Sequence, residues 1–199
     1  MLLVLDKDPK TIPQFLVDAD VYRQLDSVTK MICYLASEHC SNRGRTFRRR
    51  NMTIYIMNRS ELILSANKRF LQWGNRTPKN LLWMEDYGKA LVKELMMRTA
   101  TNRGLAASNA IGFAMMQVRK LKSLKHYGMK SVHDPARHKR LTRPPVWVND
   151  YSSTLVKSKR RQSPVSAYRA WYSANVPVDE MQWTKRQRPL WFSATKLLA

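Results

Sequence analysis

The sequence predicts a mainly α-helical protein, built as a single compact helical domain with at most short N-terminal strands and basic loops. The chain has 199 residues, which is enough for one domain with a buried core. Its hydrophobic fraction of 44%, with only 6 glycines and 9 prolines, is typical of a folded chain rather than a disordered one. Apolar residues recur at intervals of three and four over long stretches, which is the period of an α-helix.

The first elements are predicted to be a short strand and a long amphipathic helix. Leu2 to Leu5 form an apolar run that could be an edge strand, and Asp8-Pro9 ends it as a turn. Thr11 is a candidate N-cap for a helix with Pro13 in its first turn. The apolar stripe of that helix is Val17, Val21, Leu25, Val28, Ile32 and Leu35. Its polar side carries Asp20, Arg23, Ser27 and Lys30, which could face solvent or a ligand.

Four further helices follow, and a short strand over 53–57 could precede them. Thr77-Pro78 is a clear helix start, because a proline at the first helical position lacks only a donor that would stay unpaired there. Ser163-Pro164 marks the last helix in the same way. The four helices are predicted over residues 60–73, 78–98, 105–124 and 164–175.

Three segments are basic, and they lie largely outside the predicted helices. Residues 41–52 form a basic loop, and five of its first ten residues are arginines. Residues 119–162 form an irregular basic segment. Residues 176–199 alternate aromatic rings with cations. Together with the helices, these segments are expected to make one nucleic-acid-binding domain over 1–199.

The charge balance indicates a polyanionic partner. The chain has 36 Lys and Arg against 14 Asp and Glu, a formal net charge of +22. Such an excess destabilises a compact chain by self-repulsion unless a polyanion or salt relieves it, so nucleic acid is the leading partner. A basic surface that binds nothing and an anionic membrane surface are the alternatives. The candidate nucleic-acid-binding residues are Arg23, Lys30, Arg43, Arg45, Arg48, Arg49, Arg50, Arg119, Lys120, Lys122, Lys125, Arg137, Lys139, Arg140, Lys157, Lys159, Arg160, Arg161, Lys185, Arg186 and Arg188.

Other function classes lack their sequence signals. No run of 18 apolar residues and no signal peptide is readable, so we expect a soluble, intracellular protein without a membrane partner. Cys33 and Cys40 lie two helical turns apart, too far for a local disulfide, which fits a reducing compartment. His133 and His138 are not spaced to share a helix face, so no metal site is expected. No phosphate-binding glycine loop or HExxH motif is present, and no cofactor is expected.

Several motifs together resemble a known family. They are Asp8-Pro9 followed by Asp18-Ala19-Asp20, then Trp73, Asn80, Leu82-Trp83, Gly88-Lys89-Ala90-Leu91 and Glu94, and at the end residues 164–172, 183–186 and 189–192. This pattern covers about two thirds of the chain. It resembles the phage-borne family of small helical proteins similar to the pyrimidine-dimer DNA glycosylase of UV repair, often called endonuclease V.

The resemblance implies a DNA glycosylase with associated lyase activity. Such an enzyme binds duplex DNA, flips a nucleotide and attacks the sugar C1′ with its N-terminal amine to form an imine. The family's assisting Glu corresponds to Ser27 here, and its His corresponds to Asp20. The candidate catalytic groups are therefore the amine of Met1, which the bulky Leu2 should leave in place, with Asp20 or Asp26 as the carboxylate.

Two further expectations complete the functional prediction. Trp183 and Trp191 are candidates for stacking on an unpaired or extruded base. Duplex DNA is the preferred polymer and the cytoplasm of an infected bacterial host, at the nucleoid, is the expected location. The alternatives are a catalytically inactive DNA-binding relative and an RNA-binding component of a ribosome or transcription complex, and the oligomeric state is left open.

Overall fold

The structure confirms the predicted helical fold class. The computed structural model describes residues 2–39, 65–99, 104–123, 141–145 and 163–192. These residues contain the α-helices α1 (Ile12–Phe15), α2 (Asp18–His39), α3 (Ser65–Arg76), α4 (Pro78–Thr99), α5 (Leu105–Ser123) and α6 (Pro164–Asn175). The predicted strand over 53–57 and the predicted helix start at Ser60 lie outside the described residues.

The N-terminal run Leu2–Leu5 is buried but is not a strand. Its four side chains are fully or almost fully inaccessible, and the described parts of the chain contain no strand that could pair with it. Side chains satisfy its backbone instead. The Leu3 amide donates to Gln24 Oε1 at 2.9 Å, and the Leu5 carbonyl accepts from Arg169 Nε at 2.7 Å. The N-terminal run therefore packs in the core without forming a β-ladder.

The predicted first helix is divided in two, which corrects the expectation of one helix from Thr11. Helix α1 ends at Phe15, Leu16 is extended, and α2 begins at Asp18. The backbone groups freed by this break find tertiary partners: Val17 N–H donates to the hydroxyl oxygen of Tyr172 at 2.8 Å, and the Leu16 carbonyl accepts from Arg98. The break is thus stabilised by residues far away in sequence.

Helix α2 lies at the centre of the core, packed against α4 and α5. The six residues of its predicted apolar stripe are at most 3% exposed, so the prediction of that face is confirmed. The crossing of α4 and α5 is close at Gly88, where an added Cβ would lie 2.7 Å from Ile111 Cδ1. On α5 the buried small residues are Ala107, Ala110 and Ala114.

Helix α6 and the segment after it close the other side of the core. Ser163 caps α6 by accepting the Ser166 amide at 3.1 Å, and Pro164 occupies the first turn as expected. Tyr168 and Tyr172 are fully buried. After a 3-10 turn at Val178–Glu180, the chain runs back to α1 and α2, and the Asp18 amide donates to the Gln182 carbonyl at 2.9 Å. This return brings the two ends of the described chain together.

Candidate nucleic-acid interface

The positive charge is unevenly divided along the chain. The described residues carry 19 Lys and Arg against 11 Asp and Glu, a net charge of +8, so the remaining +14 belongs to the other residues. Residues 2–39 have six acids and only four cations. Net charge alone therefore does not locate an interface on the helical body.

Many of the predicted site residues lie outside the described residues. These are Met1, Arg43, Arg45, Arg48, Arg49, Arg50, Lys125, Arg137, Lys139, Arg140, Lys157, Lys159, Arg160 and Arg161. Three more, Arg119, Lys120 and Lys122, lie near the C-terminal end of α5.

The two predicted cations of α2 are held in ion pairs. Arg23 binds both carboxylate oxygens of Glu180 at 2.6 Å and also contacts Asp20 at 3.4 Å. Hydrogen bonding within this pair raises the pKa of Arg23 and lowers that of Glu180. Lys30 binds Asp26 at 3.0 Å, one turn away on the same helix. The polar side of α2 is thus a neutralised surface rather than a row of free cations.

Asp20 is the more enclosed of the two candidate carboxylates. Burial raises its pKa, while hydrogen bonds from Tyr172 and Arg23 oppose that shift. The same hydroxyl oxygen of Tyr172 accepts the Val17 amide. Asp20 is therefore tied to the start of α2 and to α6, whereas Asp26 is nearly half exposed and paired with Lys30.

Gln24 lies between Asp20 and Ser27 on one face of α2. These are the two positions that the resemblance matches to the family's His and Glu. Residues 20, 24 and 27 are spaced by four and three, so Asp20, Gln24 and Ser27 line up along the helix. The Gln24 carbonyl oxygen accepts the Leu3 amide at 2.9 Å and the Tyr87 hydroxyl at 3.3 Å. The N-terminal segment is consequently fixed one helical turn from both Asp20 and Ser27.

A buried ion network joins the first, middle and last parts of the chain. Arg98, on α4, binds Glu94 and Asp18 at 2.8 Å and also donates to the carbonyls of Leu16 and Pro13. Although burial opposes it, hydrogen bonds from Arg186 and Arg98 lower the pKa of Glu94. Each member of the network thus has at least one charged partner.

Two of the three predicted cations of the C-terminal segment are held by residues of α4. Arg186 makes two 2.9 Å hydrogen bonds to Glu94, and Lys185 donates to the Met97 carbonyl at 2.7 Å. The neighbouring Thr184 binds Asp18 through its amide and its hydroxyl. By contrast, Arg188 is exposed and has no ion pair among the described residues.

The two candidate stacking residues pack largely on the protein. The indole N–H of Trp183 donates to the Phe15 carbonyl at 3.1 Å, and its ring contacts Phe192 edge to face. One face of Trp191 is covered by Arg169, whose guanidinium carbon lies 5.0 Å from the ring centroid. Both rings keep part of their surface exposed, and their role in base stacking stays a prediction.

A second group of cations has no acidic residue within its own sequence stretches and was not among the predicted site residues. Residues 65–79 and 141–145 contain five Lys and Arg and no Asp or Glu. Thr142 brings the two stretches together. Its amide donates to Asn80 Oδ1, its hydroxyl oxygen accepts from Asn80 Nδ2, and its carbonyl accepts from the Trp73 indole N–H. We call three exposed cations of this region the α3–α4 corner: Lys68, Arg76 and Lys79.

The corner and the C-terminal cations lie at opposite ends of α4. Lys79 is in the first turn of this helix, whereas Met97, which binds Lys185, is in the last. Eighteen residues of helix separate them by about 27 Å. A search for acid-free helices could have found the corner, since α3 carries three cations and no acid. The contact with Thr142 could not be read from sequence.

Comparisons with protein-family models, curated proteins and solved structures found no match for this chain. The family resemblance therefore stands on the quoted motifs alone and stays a prediction. Within the described residues, no group of His, Cys, Asp or Glu is arranged to hold a metal ion. None of the helices in that part of the chain is both long and apolar enough to cross a membrane.

Proposed function

We propose that the protein binds nucleic acid, with duplex DNA as its preferred polymer, and that the α3–α4 corner is part of the contact surface. The observation that carries the proposal is the exposed, acid-free set of cations at this corner. Exposed Lys and Arg side chains that no carboxylate neutralises are suited to phosphate contacts. By contrast, Arg23, Lys30 and Arg186 are already bound to carboxylates.

Lys79 supports this interpretation because its position is unfavourable for the fold. It follows Pro78 in the first turn of α4, where the positive end of the helix dipole disfavours a cation. No ion pair to a described residue compensates it. A phosphate at this helix start would interact favourably with both the side chain and the dipole.

Glycosylase and lyase chemistry is the second candidate function. The observation that favours it is the Leu3 amide held on Gln24, one turn from Asp20 and Ser27, because it anchors the N-terminal segment beside the positions of the family's His and Glu. Against it, Ser27 cannot carry the charge of a carboxylate, and Asp20 and Asp26 are already paired. We therefore place DNA binding first and catalysis second.

The binding proposal is tested by the salt dependence of duplex affinity. Changing Arg76→Ala and Lys79→Ala together should reduce the slope of log K against log salt by about 1.8, which is 0.9 for each lost phosphate contact. The matched control removes two cations that carboxylates neutralise, Arg23→Ala with Lys30→Ala, and should leave the slope almost unchanged. Equal losses in the two variants would contradict an interface at the corner.

Reductive trapping tests the second candidate. The full-length protein is incubated with borohydride and duplex DNA that contains pyrimidine dimers or abasic sites. A covalent complex that disappears when the N-terminal amine is blocked would support imine chemistry. Salt-dependent binding without any trapped complex would favour the DNA-binding function alone. Tighter binding of structured RNA in competition would instead support the RNA-binding alternative.

A further inference from the structure

A cleft lies between α1 and the C-terminal segment. Its volume is about 540 Å³, within the range of about 300 to 1,000 Å³ that is common for small-molecule sites. Its lining includes Phe15, Lys185, Arg186, Arg188, Leu190 and Trp191. The cleft therefore combines a cationic side with an aromatic and apolar side.

The cationic side contains two anchored residues and one that is not paired. Lys185 and Arg186 are held by Met97 and Glu94, so their positions are fixed. Arg188 lies two residues further along, is exposed, and has no ion pair among the described residues. A guanidinium of this kind can bind a phosphate with two parallel hydrogen bonds.

The backbone of this side is held in a costly conformation. Lys185 has a φ of +60°, the left-handed region that a residue with a Cβ rarely adopts. Its neighbours keep it there, because Thr184 is bonded to Asp18 and Arg186 to Glu94. Strain that is maintained by such contacts is concentrated at binding sites in proteins.

The other side of the cleft presents ring and apolar surface to solvent. Leu190 is fully exposed at 105%, and Phe15 and Trp191 keep part of their rings accessible. The indole N–H of Trp191 is buried with no hydrogen-bond partner in the described structure. Arg169 lies over the rings of both Trp191 and Phe15, so a ligand would contact the remaining accessible parts of these two rings.

We propose that this cleft binds a nucleoside monophosphate unit, with the phosphate at Arg188 and the base against Phe15, Leu190 and Trp191. A simple anion would use only the cationic side, and a nucleoside only the aromatic side, so a ligand that carries both groups satisfies the cleft best. This inference rests on the proposed function, because a bound nucleic-acid strand would supply the nucleotide unit. A free mononucleotide has the same chemistry and is the second source.

Isothermal titration of the full-length protein tests the cleft with three probes: thymidine monophosphate, thymidine and inorganic phosphate. The nucleotide should bind at least about tenfold more tightly than either fragment. Arg188→Ala should weaken nucleotide binding by about tenfold or more, as expected for a charge-assisted hydrogen bond. Lys93→Ala, which removes an exposed cation of α4 that does not line the cleft, is the matched control and should leave nucleotide binding unchanged. Circular dichroism verifies that each variant is folded.

The outcomes separate this inference from the proposed function. Phosphate binding as tight as nucleotide binding, or an Arg188→Ala variant that binds the nucleotide normally, would overturn the cleft assignment. If Arg188→Ala weakens the binding of both oligothymidylate and thymidine monophosphate, the natural ligand of the cleft is a nucleotide within a strand. If it weakens the binding of thymidine monophosphate alone, the natural ligand is a free mononucleotide. Normal nucleotide binding without duplex binding would contradict the proposed function and leave the cleft in place.

Discussion

Two parts of the molecule use the same cationic residue types in different ways. Around α2, Arg23, Lys30 and Arg98 each bind a carboxylate, and the network at Arg98 joins the first and last described segments. At the α3–α4 corner, exposed cations such as Arg76 and Lys79 have no acid within their own sequence stretches. The same side chains thus stabilise the fold in one region and are available to an anion in the other.

This difference shows that a count of Lys and Arg does not identify a binding surface. The sequence marks Arg23, Lys30 and Arg186 as candidate phosphate contacts, yet all three are paired internally. The cations of the corner, by contrast, have no acid within their own sequence stretches. The experiments below separate the two roles by measuring stability and affinity in the same variants.

The largest effect on stability is expected at Arg98. Changing Arg98→Met leaves the carboxylates of Glu94 and Asp18 and two backbone carbonyls without their buried donor. Breaking a buried ion pair in this way costs about 3–5 kcal/mol of the free energy of unfolding. Urea unfolding followed by circular dichroism measures it. A loss as small as that of an exposed cation on the same helix, Lys93→Ala, would show that the network does not hold the fold.

A smaller and pH-dependent effect is expected at Glu94. Glu94→Gln should reduce the free energy of unfolding at neutral pH by about 1.5–3 kcal/mol, the range for hydrogen bonds to charged groups. Because hydrogen bonds from Arg186 and Arg98 outweigh burial and lower the pKa of Glu94, its contribution is complete above the ordinary value of 4.5 and is lost as the pH falls through the folded-state pKa. The free energies of unfolding of Glu94→Gln and of the natural protein, measured from pH 7 to pH 3, should therefore converge as the pH falls. A constant difference would contradict this assignment.

The opposite pH dependence is expected at Asp20. Burial raises the pKa of this carboxyl above its ordinary 3.8, so its contribution to stability is complete below that value and is lost as the pH rises through the folded-state pKa. The free energy of unfolding of Asp20→Asn should therefore rise relative to that of the natural protein as the pH increases. The effect should be smaller than that of Glu94→Gln, because an amide still accepts from Tyr172. Parallel curves for the two proteins would show that Asp20 is not desolvated.

The smallest effect on stability is expected at the corner. Arg76→Ala with Lys79→Ala should change the free energy of unfolding by less than about 0.5 kcal/mol, because exposed side chains without partners contribute little. The same variant carries the largest predicted change in the salt dependence of duplex binding. A stability loss close to that of Arg98→Met would show that the corner is structural and would remove the contrast between the two regions.

Sequence reasoning located the helices and the buried face of α2 because both depend on local spacing. The stripe from Val17 to Leu35 is buried as predicted, and Pro78 and Pro164 lie at helix starts. It missed the break between α1 and α2, since Tyr172 and Arg98, which satisfy the freed backbone groups, are distant in sequence. The pairing of Arg23 with Glu180 and of Arg186 with Glu94 was missed for the same reason.

The sequence by itself determined the helical class, the positions of most described helices and the excess of positive charge, because periodicity, helix-start residues and composition act locally or add over the chain. Only the tertiary structure decided which cations remain available. Glu180 lies 157 positions from Arg23 in the chain, yet it binds that guanidinium at 2.6 Å. Electrostatic neutralisation depends on distances of a few ångströms in space, and the spacing of residues along the chain does not fix those distances.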